Sequence, residues 1–401
     1  MRVLMISWEY PPVIEGGLGR HVRKLSERLA DDGVEVHVLT RGGGQLPVQE
    51  VRHGVSVHRV REPPFPRDVD RFLVWVQDMN DHMAALGLEL AAHGGFDLVH
   101  SHDWLVADAA RRISGSHGLP WLVTIHATEY GRHQGWVDKP PQSGIHALEG
   151  QMANDADSLI ACSQYMRGHV GRVFGVQRSK ITVIPNGVDP AELAPMATDT
   201  DGDELRARFA APDELLVLLV GRLVYEKGFH LALDALAPII RRRGKVRFVV
   251  AGTGSAEQEL KRQAKSLRLG RVGTFLGWVG DDMLHSLYRA ADLCIVPSIY
   301  EPFGIVALEA MASGCLCIVA DTGGLREVVP GDETVGLRFP ARDADALRVL
   351  LERVLEDDSE RFRLVAEARE HVLTFDWTQV ARQTRSVYDS LAPQRAVSGS
   401  V

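Results

Sequence analysis

Two cations and two acids in the second half of this 401-residue chain have types and spacings suited to chemistry. Arg222 and Lys227 lie in Gly221-Arg222-Leu223-Val224-Tyr225-Glu226-Lys227-Gly228, after an apolar run and before a helical pattern. Cations beside a helix N-terminus make a site for a polyanion such as a diphosphate. A diphosphate leaving group needs that neutralisation as its bond to carbon breaks. A surface loop with two solvated charges would read the same way. Glu301 and Glu309 stand eight positions apart, in Ser298-Ile299-Tyr300-Glu301-Pro302-Phe303-Gly304-Ile305-Val306-Ala307-Leu308-Glu309-Ala310. Glu301 belongs to a loop, and Pro302 and Gly304 mark a helix start whose free amides face an anion. Glu309 interrupts a helix that is apolar nearly all round, so the helix should be buried. A buried carboxylate needs partners, and ribose or sugar hydroxyls are suitable ones. A capping acid with a structural ion pair is the plainer alternative.

Weaker signals follow other apolar runs. Gly252-Thr253-Gly254 allows close backbone approach to a ligand, or an ordinary tight turn. Asp321-Thr322-Gly323-Gly324-Leu325-Arg326-Glu327 offers amides to an oxygen-rich ligand. In the first half, Gly16-Gly17-Leu18-Gly19 opens a helix and suits a phosphate. His100-Ser101-His102-Asp103-Trp104 and Thr124-Ile125-His126-Ala127-Thr128-Glu129-Tyr130 mix polar and aromatic groups, as a carbohydrate site would. His100 and His102, with one residue between them, suggest no complete metal site. His126 reads equally as a core histidine.

The elements that must position these residues alternate in type. Val3–Ile6, Val34–Leu39, Val55–Val60, Leu98–His100, Trp121–Ile125, Leu159–Ala161 and Ile181–Ile184 read as strands. Helical patterns fill most gaps, notably Val69–Ala92, Leu105–Ser116 and Gln142–Asn154. A second strand series runs through Leu215–Gly221, Val246–Ala251, Thr274–Leu276, Leu293–Val296 and Leu316–Ala320. This alternation implies two α/β domains, each a parallel sheet covered by helices, with ligands outside the carboxyl ends of the strands. The polar stretch Ala194–Asp203 reads as the linker, which divides the chain into 1–192 and 193–375. A final helix spans 376–392, and 393–401 reads as a disordered tail.

Length and composition agree with this division. A single core stops growing near roughly 250–300 residues. The net charge of -8 speaks against a nucleic-acid partner. The four cysteines, Cys162, Cys294, Cys315 and Cys317, form no CxxC pair and read as reduced core thiols of a cytoplasmic protein. The N-terminal apolar run is too short for a signal peptide, and no run reaches the roughly 20 apolar residues of a membrane span. A peripheral membrane contact stays open.

Taken together, Glu301-Pro302-Phe303-Gly304 through Glu309, Gly221-Arg222-Leu223, Glu226-Lys227-Gly228 and Pro185-Asn186-Gly187-Val188-Asp189 resemble glycosyltransferase family 4. These are retaining enzymes with the GT-B fold, and the likeness runs from Met1 to about Leu391. It implies two doubly wound Rossmann-like domains facing each other across a cleft. A nucleotide-sugar donor would be held by the second half and an acceptor mainly by the first. By position, Arg222 and Lys227 resemble the diphosphate-binding pair. Glu309 resembles the acid on the ribose, and Glu301 the acid at the donor sugar. Gly304 and Ile305 resemble amide donors, with Phe303 and Gly252 beside the donor. Gly17 resembles the glycine approaching the diphosphate from the first domain, and His126 the histidine near the reacting sugar. Arg222, Lys227, Glu301 and His126 are thus the expected catalytic set, and Asp103, Trp104, Glu129 and Tyr130 the acceptor set. The final helix near Trp377 is expected to cross back onto the first domain.

Within the family, Ser7-Trp8-Glu9-Tyr10-Pro11-Pro12, His102-Asp103-Trp104 and Thr322-Gly323-Gly324-Leu325 look like starch and glycogen synthases. His126–Arg132 followed by Gln134-Gly135-Trp136 looks like the actinobacterial α-1,4-glucosyltransferases of glycogen or methylglucose lipopolysaccharide assembly. The chain departs from bacterial glycogen synthases at Glu15, where they carry lysine, and at Glu309, which they lack. The resemblance implies UDP- or ADP-glucose as donor, an α-glucan as acceptor, and no metal or other cofactor. A transferase of mannose to a lipid-linked or small polyol acceptor is the alternative. A phosphorylase, an epimerase and a non-catalytic nucleotide-sugar-binding protein would share the fold.

Overall fold

The computed structural model describes residues 1–13, 16–43, 46–66, 71–193 and 200–392. The chain divides into two compact units. The first holds Met1–Asn186 and the segment from Trp377, and the second holds Gly187–Asp376.

The first unit is built on β1 (Arg2–Ser7), β2 (Glu35–Gly42), β3 (Gln49–Arg52), β4 (Val55–Arg61), β5 (Leu98–His102), β6 (Trp121–Ile125), β7 (Ser158–Ala161) and β8 (Ile181–Val183). Their order is β3-β4-β2-β1-β5-β6-β7-β8. All neighbours pair in parallel except β3 with β4. Near-continuous apolar strands such as Val3-Leu4-Met5-Ile6, all fully buried, are what a sheet covered on both faces requires. β1 pairs with β2 on one side and β5 on the other, so the strand order reverses there. Crevices for ligands open at such reversals. Trp377–Leu391 is a helix of this unit and packs on the Gly17–Asp31 helix, with Trp377, Val380, Ala381 and Tyr388 buried.

The second unit carries β9 (Leu215–Val220), β10 (Val246–Ala251), β11 (Gly273–Gly277), β12 (Leu293–Val296), β13 (Leu316–Asp321) and β14 (Leu337–Pro340). The order is β11-β10-β9-β12-β13-β14, parallel throughout. Here the reversal lies between β9 and β12. The loops after those strands carry Arg222 and Glu301. The core under the sheet is apolar, with Phe229, Leu233, Leu236, Phe248 and Phe339 in one buried cluster.

Three sequence expectations change. The first unit ends at Asn186 rather than 192, because Gly187–Leu193 groups with the second unit. Val188 N donates to Phe375 O at 2.8 Å, which ties that segment to the far end of the same unit. Of the expected linker, residues 194–199 lie outside the described set, as does the 393–401 tail. Residues 200–203 instead open the Thr200–Ala207 helix. Buried Leu205 anchors it, and Arg206 ties it to Ala290 O, Glu214 O and Asp292. Two strands were not anticipated. β3 is polar and exposed at the sheet edge, and Leu337–Pro340 is too short to register as an apolar run.

Candidate active site

In the second unit, β9 ends and the chain turns through Gly221 into a 3-10 turn, Tyr225–Lys227. Gly228 then takes φ 66 before the Phe229–Arg243 helix. A Cβ at Gly228 would lie 2.0 Å from Pro297 O, so only glycine lets this loop pass the end of β12. The two loops are stitched together, with Ile299 N donating to Glu226 O at 2.8 Å. This brings Lys227 and Glu301 into direct contact, Nζ to Oε2 at 2.7 Å. Ser298 Oγ donates to the same Oε2 at 3.1 Å. Two residues assigned separate tasks from the sequence therefore orient one another. Lys227 keeps further N–H donors for an incoming anion. The Arg222 side chain is 54% exposed and lies 3.7 Å from Glu226.

Gly304 precedes the Ile305–Ala312 helix at φ 120, and no side chain caps that helix. Its first amides point out of the helix end, as an anion site requires. Phe303 is buried and packs edge-on to Phe375, so only its backbone is available to a ligand. Glu309 is buried in the helix, as its apolar neighbours imply, and accepts from Tyr288 Oη at 2.9 Å. Gly252 has a different reason for being glycine. Its Cβ would lie 1.9 Å from Gly221 O, and a Cβ at Gly254 would lie 2.3 Å from Leu223 O. The close approach is loop to loop, and no ligand is needed to explain it. Gly323 likewise faces Glu301 O.

In the first unit, Gly17 is the exposed first residue of its helix. The chain before it is held by Gly16 N donating to Glu9 Oε2 at 3.1 Å. Glu15 lies outside the described residues. Asp103 takes φ 58 at the end of β5 and accepts from His126 N at 2.7 Å, joining the loops after β5 and β6. Burial pushes the Asp103 carboxyl up to about 6, against the opposing pull of Arg132 and the amides of His126 and Ala127. His126 is half-buried, and burial aided by Arg132 pushes it down to about 3. Its imidazole is therefore neutral at pH 7. Trp104 is buried and packs edge-on to Phe72. Glu129 is buried and pairs with His133 at 3.0 Å. Tyr130, at 38% exposed, is the open member of the expected acceptor set.

Sequence reading missed several partners. Tyr288 and Ser298 hold the two glutamates, yet a tyrosine in an amphipathic helix and a serine in a loop carry no signal. Glu149 binds Glu129 N through both carboxylate oxygens at 2.9 Å. His21 packs 4.7 Å from the His126 ring. The four cysteines are buried, as expected of core thiols. No helix among the described residues is long and apolar enough to cross a membrane.

Comparisons with known proteins follow this geometry. Residues 15–192 match the family described as Glycosyltransferase Family 4, and 201–371 match Glycosyl transferases group 1. The chain is 39% identical to a glycogen synthase of Mycobacterium tuberculosis, covering 97% of this chain and 94% of that protein. It is 31% identical to a D-inositol 3-phosphate glycosyltransferase of Kineococcus radiotolerans, covering 98% and 96%. Among solved structures, a sucrose-phosphate synthase from Thermosynechococcus elongatus superposes with a TM-score of 0.83 at 28% identity, covering 97% and 98%.

Proposed function

Since the chain belongs to glycosyltransferase family 4 and is a GT-B glycosyltransferase of two Rossmann-like units, we propose that it transfers glucose from UDP- or ADP-glucose to an α-glucan or related saccharide, with retention. The observation that carries this reading is the Lys227–Glu301 pair, set beside Arg222 and the uncapped helix start at Gly304 on the rim where the strand order reverses. Arg222 and Lys227 take the diphosphate and neutralise the charge that grows as the glycosidic bond to phosphate breaks. Amides at Gly304 and Ile305 share that load. Glu301 holds Lys227 and receives the hydroxyls of the donor sugar. Glu309 receives the ribose hydroxyls beside Tyr288. In the first unit, the exposed helix start at Gly17 offers an amide to a phosphate, and neutral His126 can donate or accept a hydrogen bond to a sugar hydroxyl. The leaving diphosphate takes the acceptor proton on the same sugar face, so no protein nucleophile is required. Asp103, Glu129 and Tyr130 shape the acceptor side, with Tyr130 in contact. Turnover needs no metal, so a chelator leaves the rate unchanged.

The glycogen synthase relative, at higher identity than the inositol phosphate transferase, favours the glucan acceptor. The second relative supports a small polyol phosphate as the alternative. Release of nucleoside diphosphate is measured with UDP-, ADP- and GDP-sugars, each with maltooligosaccharide, with inositol phosphate and with neither. Release from a glucose donor that depends on maltooligosaccharide is expected. Dependence on inositol phosphate instead would transfer the assignment, and release with no acceptor would count against transfer altogether.

A further inference from the structure

The segment after β6 carries an aromatic side chain that does nothing to hold it in place. Trp136 is 77% exposed, the most open large apolar side chain among the described residues. A tryptophan left in water forgoes the burial of about 150–250 Å² that its ring can otherwise provide. The backbone around it is fixed without the indole. His133 N donates to Glu129 O at 3.0 Å, Gln134 N to Gly131 O at 3.2 Å, Gly135 N to Tyr130 O at 2.8 Å and Trp136 N to His133 O at 2.9 Å. Gln134 takes φ 54 and Gly135 φ 91, a reversal that lays the chain back on the Glu129–Arg132 helix. That helix is anchored in turn by Glu149, which accepts from Glu129 N.

Single exposed apolar residues are common on protein surfaces. Two observations set Trp136 apart. It has an aromatic neighbour, since a Cβ at Gly135 would lie 3.3 Å from both Cζ and Oη of Tyr130, so the residue before Trp136 rests against a ring that is itself 38% exposed. It also stands at the carboxyl end of the sheet, because residues 126–141 join the end of β6 to the start of the Gln142–Asp155 helix. His126 and Asp103 occupy the same end. The two rings therefore belong to the rim assigned to the acceptor.

We propose that Trp136 is a stacking platform for sugar units of the acceptor beyond the one that reacts, and so selects saccharide chains over short acceptors. This assignment rests on the glucan reading above. One face of a pyranose ring is lined with C–H bonds, and it suits the electron-rich face of an indole. The hydroxyls stay at the ring edge, in water, so stacking leaves no polar group unsatisfied. The Glu129–Arg132 helix and the turn after it separate Trp136 from His126, so a chain must extend past its reacting unit to reach the indole. A membrane surface is a poorer fit. Anionic lipid attracts clusters of cations, whereas Asp138 and Lys139 follow Trp136 with opposite charges.

Release of nucleoside diphosphate by the full-length enzyme is measured with maltose and with maltoheptaose as acceptors. Trp136→Ala should raise KM for maltoheptaose at least about 10-fold, as loss of about 60 Å² of buried apolar contact implies. KM for maltose, KM for donor, kcat and Tm should stay as they were, and Trp136→Phe should recover most of the loss. Phe362→Ala, at another exposed aromatic residue, should change none of these. A shift of all constants together, or a fall in Tm, would mark a structural role and overturn the platform. Unmutated enzyme that uses maltoheptaose, beside a Trp136→Ala variant of unchanged KM, overturns the platform and leaves the glucan reading standing. Unmutated enzyme that uses neither maltooligosaccharide overturns that reading and the platform with it. A variant that keeps its KM yet no longer sediments with phosphatidylserine vesicles overturns the platform in favour of a membrane contact.

Discussion

The second unit builds its rim around an ion pair, whereas the first carries buried titratable groups whose charged forms burial disfavours. Lys227 and Glu301 meet at 2.7 Å, and the half-exposed Arg222 lies on the same loop as Lys227. In the first unit the loops after β5 and β6 carry Asp103, raised to about 6, and neutral His126, while Glu149, raised to about 8, reaches Glu129 N from the Gln142–Asp155 helix. The contrast suits two different ligands. A diphosphate demands countercharge, while a neutral saccharide demands hydrogen bonds and a surface without competing ions. The second rim should therefore govern rate, and the first should show itself in pH dependence.

The largest effect expected is on turnover. Arg222→Ala or Lys227→Ala should lower kcat at saturating donor by at least about 100-fold, as loss of a transition-state charge partner does. Arg222→Ala should leave thermal unfolding unchanged, since its side chain is half-exposed. Lys227→Ala leaves Glu301 with Ser298 as its remaining named partner and so costs stability as well. Near-normal turnover in either variant would remove the electrostatic half of the comparison.

Next in size is Glu309→Gln. The amide oxygen still accepts from Tyr288, so the fold is kept while the charge is lost. Donor KM should rise about 10-fold with a smaller change in kcat, the signature of ground-state binding through ribose. A fall in kcat alone would place Glu309 at the reacting end instead.

The two rims also differ in how legible they were. Arg222, Lys227, Glu301 and Glu309 follow apolar strands directly, and their charges stand out against buried surroundings. Twelve strand expectations match strands of the two sheets because parallel strands buried on both faces are apolar without interruption. β3 escaped because an exposed edge strand needs no apolar face. The packing of His21 on His126 escaped because the two lie far apart in sequence, and only the strand order β1-β5-β6 brings them together. The burial of Trp104 was not legible, because an aromatic residue after a strand looks the same whether it faces ligand or core. At Gly252 both readings were open from the sequence, because a glycine does not say which backbone it must clear.

The third test uses acid. His21, His100 and His102 are held well below the usual range by burial, His126 is near 3, and His58 and His169 are near 4. All belong to the first unit. A histidine with a depressed folded pKa supplies stability above its unfolded value of about 6.5 and loses it as pH falls toward the folded value. The first unit should therefore lose protection from hydrogen exchange between pH 6.5 and 4, ahead of the second. Simultaneous loss in both units would break the comparison.

The smallest effect concerns Glu149 and tests whether a protonated carboxyl holds the loop after β6. Both its oxygens lie 2.9 Å from Glu129 N, and the side chain is almost wholly buried. Burial is the main cause of its raised pKa; the Glu129 amide and Arg132 pull it down, while Asp103 and Glu129 push it up. The folded value of about 8 exceeds the unfolded value of 4.5, so the folded state holds the proton more tightly. The associated stability is complete below 4.5, declines as pH rises, and is gone above about 8. Glu149→Gln keeps an acceptor for Glu129 N and cannot ionise. The Tm of the variant should therefore gain on that of the unmutated protein by about 3 °C between pH 5 and pH 8. A difference that stays constant across this range would mean that Glu149 carries the same charge folded and unfolded, and the loop after β6 would then be held by geometry alone.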